Sequence, residues 1–125
     1  MAEPNGVIED KDNRLQVEIP NTYIPQGAPN YMAFMVRGSS MKPQIMNDDI
    51  VLIYKTSEWD KVENLVCAVR VDGGITLKRV KFDHTKRSLL LEPINIDYPT
   101  LILDHDQTRD VYLLGTLAVQ LRVYV

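Results

Sequence analysis

The chain has 125 residues, enough for one domain and too few for two ordinary ones. Hydrophobic residues make up 45% and charged residues 25%, an ordinary globular balance that excludes a disordered or fibrous chain. Fourteen Lys and Arg against seventeen Asp and Glu leave a net charge of −3, which excludes the strongly basic footprint of a free-standing nucleic-acid binder. Nowhere do about 18 apolar residues run together, so no membrane helix is expected. The N-terminus lacks the basic start and apolar stretch of a signal peptide, and Cys67 has no second cysteine to pair with. A reducing cytoplasm is the expected compartment.

Residues 1–14 are polar and read as a flexible N-terminal arm, of a kind that can also pair with another strand or subunit. Residues 15–125 read as one β domain. Gln16–Ile19 alternates and is closed by Pro20, and Asn21–Asn30, with Pro25, Gly27 and Pro29, reads as loop. Apolar, β-branched runs then follow at Met32–Val36, Ile50–Tyr54, Leu65–Val71, Ile75–Phe82, Ser88–Leu91 and Val111–Val125, each bounded by Gly, Pro, Asn or Asp. Asp72-Gly73-Gly74 predicts one hairpin, its glycines supplying positive φ, and Asp83–Arg87 predicts a second. The helix candidates are short: Met41–Met46, with Pro43 in its first turn, and Ser57–Glu63, with Ser57 as its cap. The expected fold is all-β and mostly antiparallel, a compact barrel or sandwich with at most one or two short helical turns.

Most candidate chemistry has a plain structural reading. His105 stands between Asp104 and Asp106, but neighbours on an extended chain point to opposite sides, and no further His or Cys joins them. No metal site or cofactor is expected. Cys67 sits mid-strand as a small apolar residue. Lys78, Arg79, Lys81, Lys86 and Arg87 cluster around the second hairpin and read as a solvated, charged turn, with contact to an acidic partner as the alternative. Composition and periodicity stop at a soluble β domain.

One segment goes further. Val36-Arg37-Gly38-Ser39-Ser40-Met41-Lys42-Pro43, continuing to Asp48-Asp49-Ile50-Val51, resembles the G-x-S-M-x-P…G-D-hydrophobic signature of the LexA-like self-cleaving peptidases. This Ser–Lys group includes lambda-type phage repressors and UmuD-like mutagenesis proteins. Downstream, Thr76-Leu77-Lys78-Arg79 is similar to the family's T-V-K-R strand, Leu91-Glu92-Pro93-Ile94-Asn95 with Tyr98-Pro99 to its L-x-P-x-N…Y-P stretch, and Gly115–Val119 to its closing G-x-V strand. The resemblance runs from about Gln16 to the C-terminus, in order and at matching spacing. Two family glycines are replaced: Asn47-Asp48 must form the first turn, and Glu63-Asn64 stands where a second G-D precedes the Val66 strand.

The resemblance implies Ser40 as nucleophile and Lys78 as general base. Ser39 competes for the first role, but the family places its serine directly before Met, which selects Ser40. Gly38, Ser39, Met41 and Thr76 would support them: N–H groups of Ser40 and of the Gly38–Ser39 turn as oxyanion donors, Thr76 as a group orienting the lysine. Strand alternation independently puts Lys78 on one face with Thr76, Val80 and Phe82, away from Arg79 and Lys81. Relatives cut an Ala-Gly or Cys-Gly bond upstream of the serine; here the corresponding distance falls on Asn5-Gly6, where the glycine matches and Asn5 does not. The implied function is the C-terminal autoproteolytic and dimerisation domain of a transcriptional repressor, homodimeric, triggered by the RecA–single-stranded-DNA filament and reaching DNA only through an upstream domain. A stand-alone UmuD-like protein and a catalytically silent dimerisation module are the alternatives.

Overall fold

The computed structural model describes residues 5–9, 16–104 and 110–122, and the backbone alone for Asn5, Gly6, Val7 and Glu9. The described residues form nine strands in two antiparallel sheets. β1 (Asn5–Glu9) pairs with β2 (Gln16–Pro20). The larger sheet has the order β3-β4-β9-β5-β6-β7-β8 and is open. Its strands are β3 (Tyr31–Met35), β4 (Ile50–Lys55), β5 (Val66–Val71), β6 (Gly74–Asp83), β7 (Ser88–Glu92), β8 (Leu101–Asp104) and β9 (Val111–Leu121). The all-β, antiparallel expectation holds.

Five details differ from or refine the sequence reading. Part of the arm is a strand: Asn5–Glu9 lies opposite Gln16–Pro20, and Ile8 is buried in one core with Val17, Ile19, Ile24 and Leu52. One apolar side chain with a matching partner strand is enough to draw an otherwise polar segment into a ladder. Met41–Met46 forms turns instead of a helix, with a cis peptide bond at Lys42–Pro43. Ser57–Glu63 shrinks to a single 3-10 turn at Trp59–Lys61, and Thr56 Oγ1, not Ser57, accepts the Glu58 N–H at 3.3 Å. Two more 3-10 turns, Asn21–Tyr23 and Ala28–Asn30, punctuate the stretch read as loop. β8, Leu101–Asp104, was not among the strands read from the sequence.

The hairpins show why each turn residue is there. In the first, Val71 pairs with Gly74, and Asp72 (φ 49°) and Gly73 (φ 87°) are the two left-handed residues of a primed turn; Gly74 already belongs to β6. In the second, Asp83 Oδ1 accepts the N–H groups of Thr85 and Lys86, both at 3.1 Å, and Arg87 takes φ 55° to rejoin the ladder.

β9 lies at the centre of the sheet, between β4 and β5, and its register shifts against both, between Leu52 and Ile53 on one side and between Ala68 and Val69 on the other. β9 approaches β4 closely at Gly115. A Cβ built on Gly115 would overlap the Tyr54 carbonyl and lie 2.7 Å from Ile53 Cγ2. Gly115→Ala is therefore expected to destabilise the fold by about 3 kcal/mol, read as a lower urea midpoint; a wild-type midpoint would show that β9 can shift to make room.

Three apolar clusters fill the molecule. One joins the β1–β2 ribbon to β3 and β4, one lies among Val62, Cys67, Val80 and Leu91, and the third holds Met41, Ile45, Val51, Ile53 and Ala68. The third cluster matters most for function, since it anchors the connection between β3 and β4 that carries Ser40.

Candidate active site

The β3–β4 connection is drawn closed at its neck. Val36 N–H donates to Asp49 O and Asp48 N–H to Val36 O, both at 2.8 Å. Asp48, which replaces the first family glycine, takes φ 71°; at the second replaced turn the left-handed residue is Asn64 (φ 68°), one position after Glu63, where the family glycine would stand. Asp49 is 1% exposed, and its carboxylate accepts from Met46 N–H (2.8 Å), Gln120 Nε2 (2.9 Å) and Arg122 Nε and Nη2 (both 2.8 Å). Its hydrogen bonds with Arg122 hold the carboxyl below the usual carboxylate range despite burial. The base of the loop is thus tied to the end of β9. Arg37 and Asp48 add an exposed ion pair across the neck.

Within this frame, Gly38 adopts φ 109°, a conformation open to glycine, and donates its N–H to Asn47 Oδ1 at 2.9 Å. That N–H is engaged, so Gly38 serves the loop through its backbone shape. Met41 is buried with Ile45, and the Ile45 N–H closes a turn on Met41 O at 2.9 Å. Ser39 and Ser40 stand half-buried just before this anchor.

β6 supplies the other half. Lys78 Nζ lies 2.9 Å from Ser40 Oγ, 2.7 Å from Thr76 Oγ1 and 3.0 Å from Leu77 O. Burial pushes the Lys78 amine below its ordinary value of 10.5. The three neighbours suit a neutral amine. Its two N–H groups can serve Leu77 O and Thr76 Oγ1, and its lone pair then faces the Ser40 hydroxyl. Beside the pair opens a cleft lined by Phe34, Met35, Gly38, Ser40, Ile75 and Leu77, among others. Ile75 is 42% and Met35 40% exposed, so the cleft rim presents apolar side chains to solvent.

The structure thus brings Ser40, Lys78, Thr76, Gly38, Ser39 and Met41 into one region. Asn5 and Gly6 lie in β1, opposite Pro20 and Ile19. Two residues of the site went unrecognised in the sequence, Asp49 and Asn95, which donates to the carbonyls of Ser39 and Ser40; Asn47 was read as a turn residue, but not as the acceptor of the Gly38 N–H. Asp49 and Asn95 both fall inside the quoted motifs, but neither motif reveals a hydrogen-bonding role. Elsewhere, Cys67 is buried and its thiol is pushed up to about 12, which makes it unreactive. Lys81 pairs with Glu92 and His84 with Glu63, in keeping with a charged turn. Asp104 accepts from Ser88 Oγ at 2.7 Å, while His105 and Asp106 lie outside the described residues. Among the described residues no three His, Cys, Asp or Glu gather as a metal site, and no helix is long and apolar enough to cross a membrane.

The chain is 31% identical over 114 residues to the LexA repressor of Paramagnetospirillum magneticum, an alignment covering 91% of this chain and 46% of that protein. The chain therefore spans about half the length of this curated relative. The family model described as Peptidase S24-like matches residues 1–118, nearly the whole chain, and the protein belongs to that family.

Proposed function

We propose that the chain is the C-terminal autoproteolytic and dimerisation domain of a LexA-like transcriptional repressor, cutting its own backbone with Ser40 and Lys78. The observation that carries this reading is the 2.9 Å approach of a half-buried lysine amine to a serine hydroxyl at the edge of an open cleft. Neutral Lys78 takes the Ser40 proton as Oγ attacks the scissile carbonyl, and a tetrahedral oxyanion forms. The Ser40 N–H, with a second donor from the Gly38–Ser39 turn, stabilises that charge; because Asn47 holds the Gly38 N–H, the second donor is Ser39. The Lys78 ammonium then returns its proton to the leaving amine as the C–N bond breaks. A water attacks the remaining ester with Lys78 again as base, which frees Ser40. Thr76 Oγ1 and Leu77 O keep the amine aimed throughout.

The substrate in this reading is the chain's own Asn5–Gly6 bond, presented when β1 leaves β2 for the cleft. The RecA–single-stranded-DNA filament would act by favouring that docked position, supplying no catalytic group. A homodimer would give avidity to DNA-binding domains joined upstream. The compartment is the cytoplasm.

Intact mass followed at alkaline pH tests the core of this. The wild type should lose an N-terminal peptide, and Ser40→Ala should not. Asn5 is larger than the residue relatives carry there, which favours a second reading, a silent dimerisation module of the same fold. Cleavage by Asn5→Ala but not by the wild type would select that reading, and an unchanged mass in both would overturn the dyad.

A further inference from the structure

Ser39 and Ser40 present two successive carbonyls, and one residue from a distant connection holds both. Asn95, between β7 and β8, donates its Nδ2–H to Ser39 O at 2.9 Å and its backbone N–H to Ser40 O at 2.8 Å. Its other groups are engaged in its own loop. Oδ1 accepts from Asp97 N–H at 3.0 Å, which fixes the end of the carboxamide that carries nitrogen, and Asn95 O accepts from Tyr98 N–H at 3.1 Å. Ile94 beside it packs against the Met41–Ile45 cluster, so the clamp is rooted in the core. Within the loop itself, Ser39 O receives only the Lys42 N–H turn at 3.1 Å.

A trans peptide is planar, with the carbonyl of one residue and the N–H of the next pointing in opposite directions. Holding Ser39 O therefore aims the Ser40 N–H the other way, and holding Ser40 O does the same for Met41. Building on the reading of Ser40 as nucleophile, we infer that Asn95 is a positioning residue, setting the Ser39–Ser40 peptide plane so that the Ser40 N–H meets the oxyanion. Asn95 makes no hydrogen bond to Lys78 in the structure, so its effect falls on the oxyanion and leaves the base alone.

Two variants separate this from general loosening. Asn95→Ala removes the Nδ2 donor and the Oδ1 acceptor, whereas Asn95→Asp keeps the acceptor for Asp97 and turns a carboxylate oxygen, which repels, toward Ser39 O in place of the donor. Self-cleavage should slow about 100-fold in both, with an unchanged thermal midpoint. In Asn95→Ala the pH midpoint of the rate should stay that of the wild type. Nitrogen-15 relaxation should show the Ser40 amide loosened, while the Met41 amide, still aimed by the Asn95 backbone N–H, and those of Thr76 and Lys78 keep wild-type order. A wild-type rate, or a midpoint that moves with the rate, overturns the assignment. If the wild type itself does not cleave, the dyad reading fails separately, and relaxation still decides: an undisturbed Ser40 amide overturns the role of Asn95.

Discussion

Lys78→Arg should slow self-cleavage about 10⁴-fold, because a guanidinium stays protonated and cannot take the Ser40 proton. The variant keeps a long basic side chain but one that is always charged, so the loss of cleavage would identify the neutral amine as the required species. The wild-type rate should rise with pH as that amine deprotonates and then level off. Burial lowers the Lys78 pKa below 10.5, so the plateau must begin below that value. Linkage gives a companion signature with a definite sign. The unfolded chain holds this proton more tightly than the folded one, so stability rises with pH between the native pKa and 10.5. Lys78→Met should lose that slope along with all cleavage, while remaining folded at neutral pH. A rate that keeps climbing through 10.5, or an Arg variant that cuts, would remove Lys78 from the role of base.

How much of this was legible before any coordinates depended on the range of the interaction. Strands with apolar, β-branched runs were plain, and so was the Asp72-Gly73 turn, because both are local preferences. The pairing of Ser40 with Lys78 came from resemblance, and alternation added only that Lys78 shares a face with Thr76. What stayed hidden was set by long-range contacts. Asn5–Glu9 looks like solvated tail until Val17 and Ile19 give Ile8 a place to bury. Asn95 lies 56 positions from Ser39, and nothing in its neighbourhood says that its carboxamide will hold a carbonyl there. Met41–Met46 failed as a helix for a related reason: Met41 and Ile45 are buried in a core shared with β4 and β5, and the turns deliver them there.

Asp49 is the strongest case of a residue whose importance is tertiary. Asp49→Asn keeps the shape but replaces a charge-assisted acceptor with an amide that cannot serve Arg122, Gln120 and Met46 together. The expected cost at neutral pH is about 3 kcal/mol, the scale for breaking a buried pair by removing one partner. The pH dependence distinguishes this from simple repacking. Because the Asp49 carboxyl is held below its ordinary value of 3.8 in the folded chain, its contribution is complete above that value. It fades as pH falls through it toward the lower native pKa. Below 3.8 the unfolded wild type takes up the Asp49 proton while the folded chain stays ionised, so its advantage over Asp49→Asn shrinks and the gap must narrow. Urea unfolding of both chains at about pH 7 and about pH 3 measures that gap. A gap that stays constant would mean that the ion pair with Arg122 contributes nothing and that shape alone holds the site. A gap that narrows assigns to the ionised Asp49 carboxylate, paired with Arg122, the tie between β9 and the loop carrying Ser40.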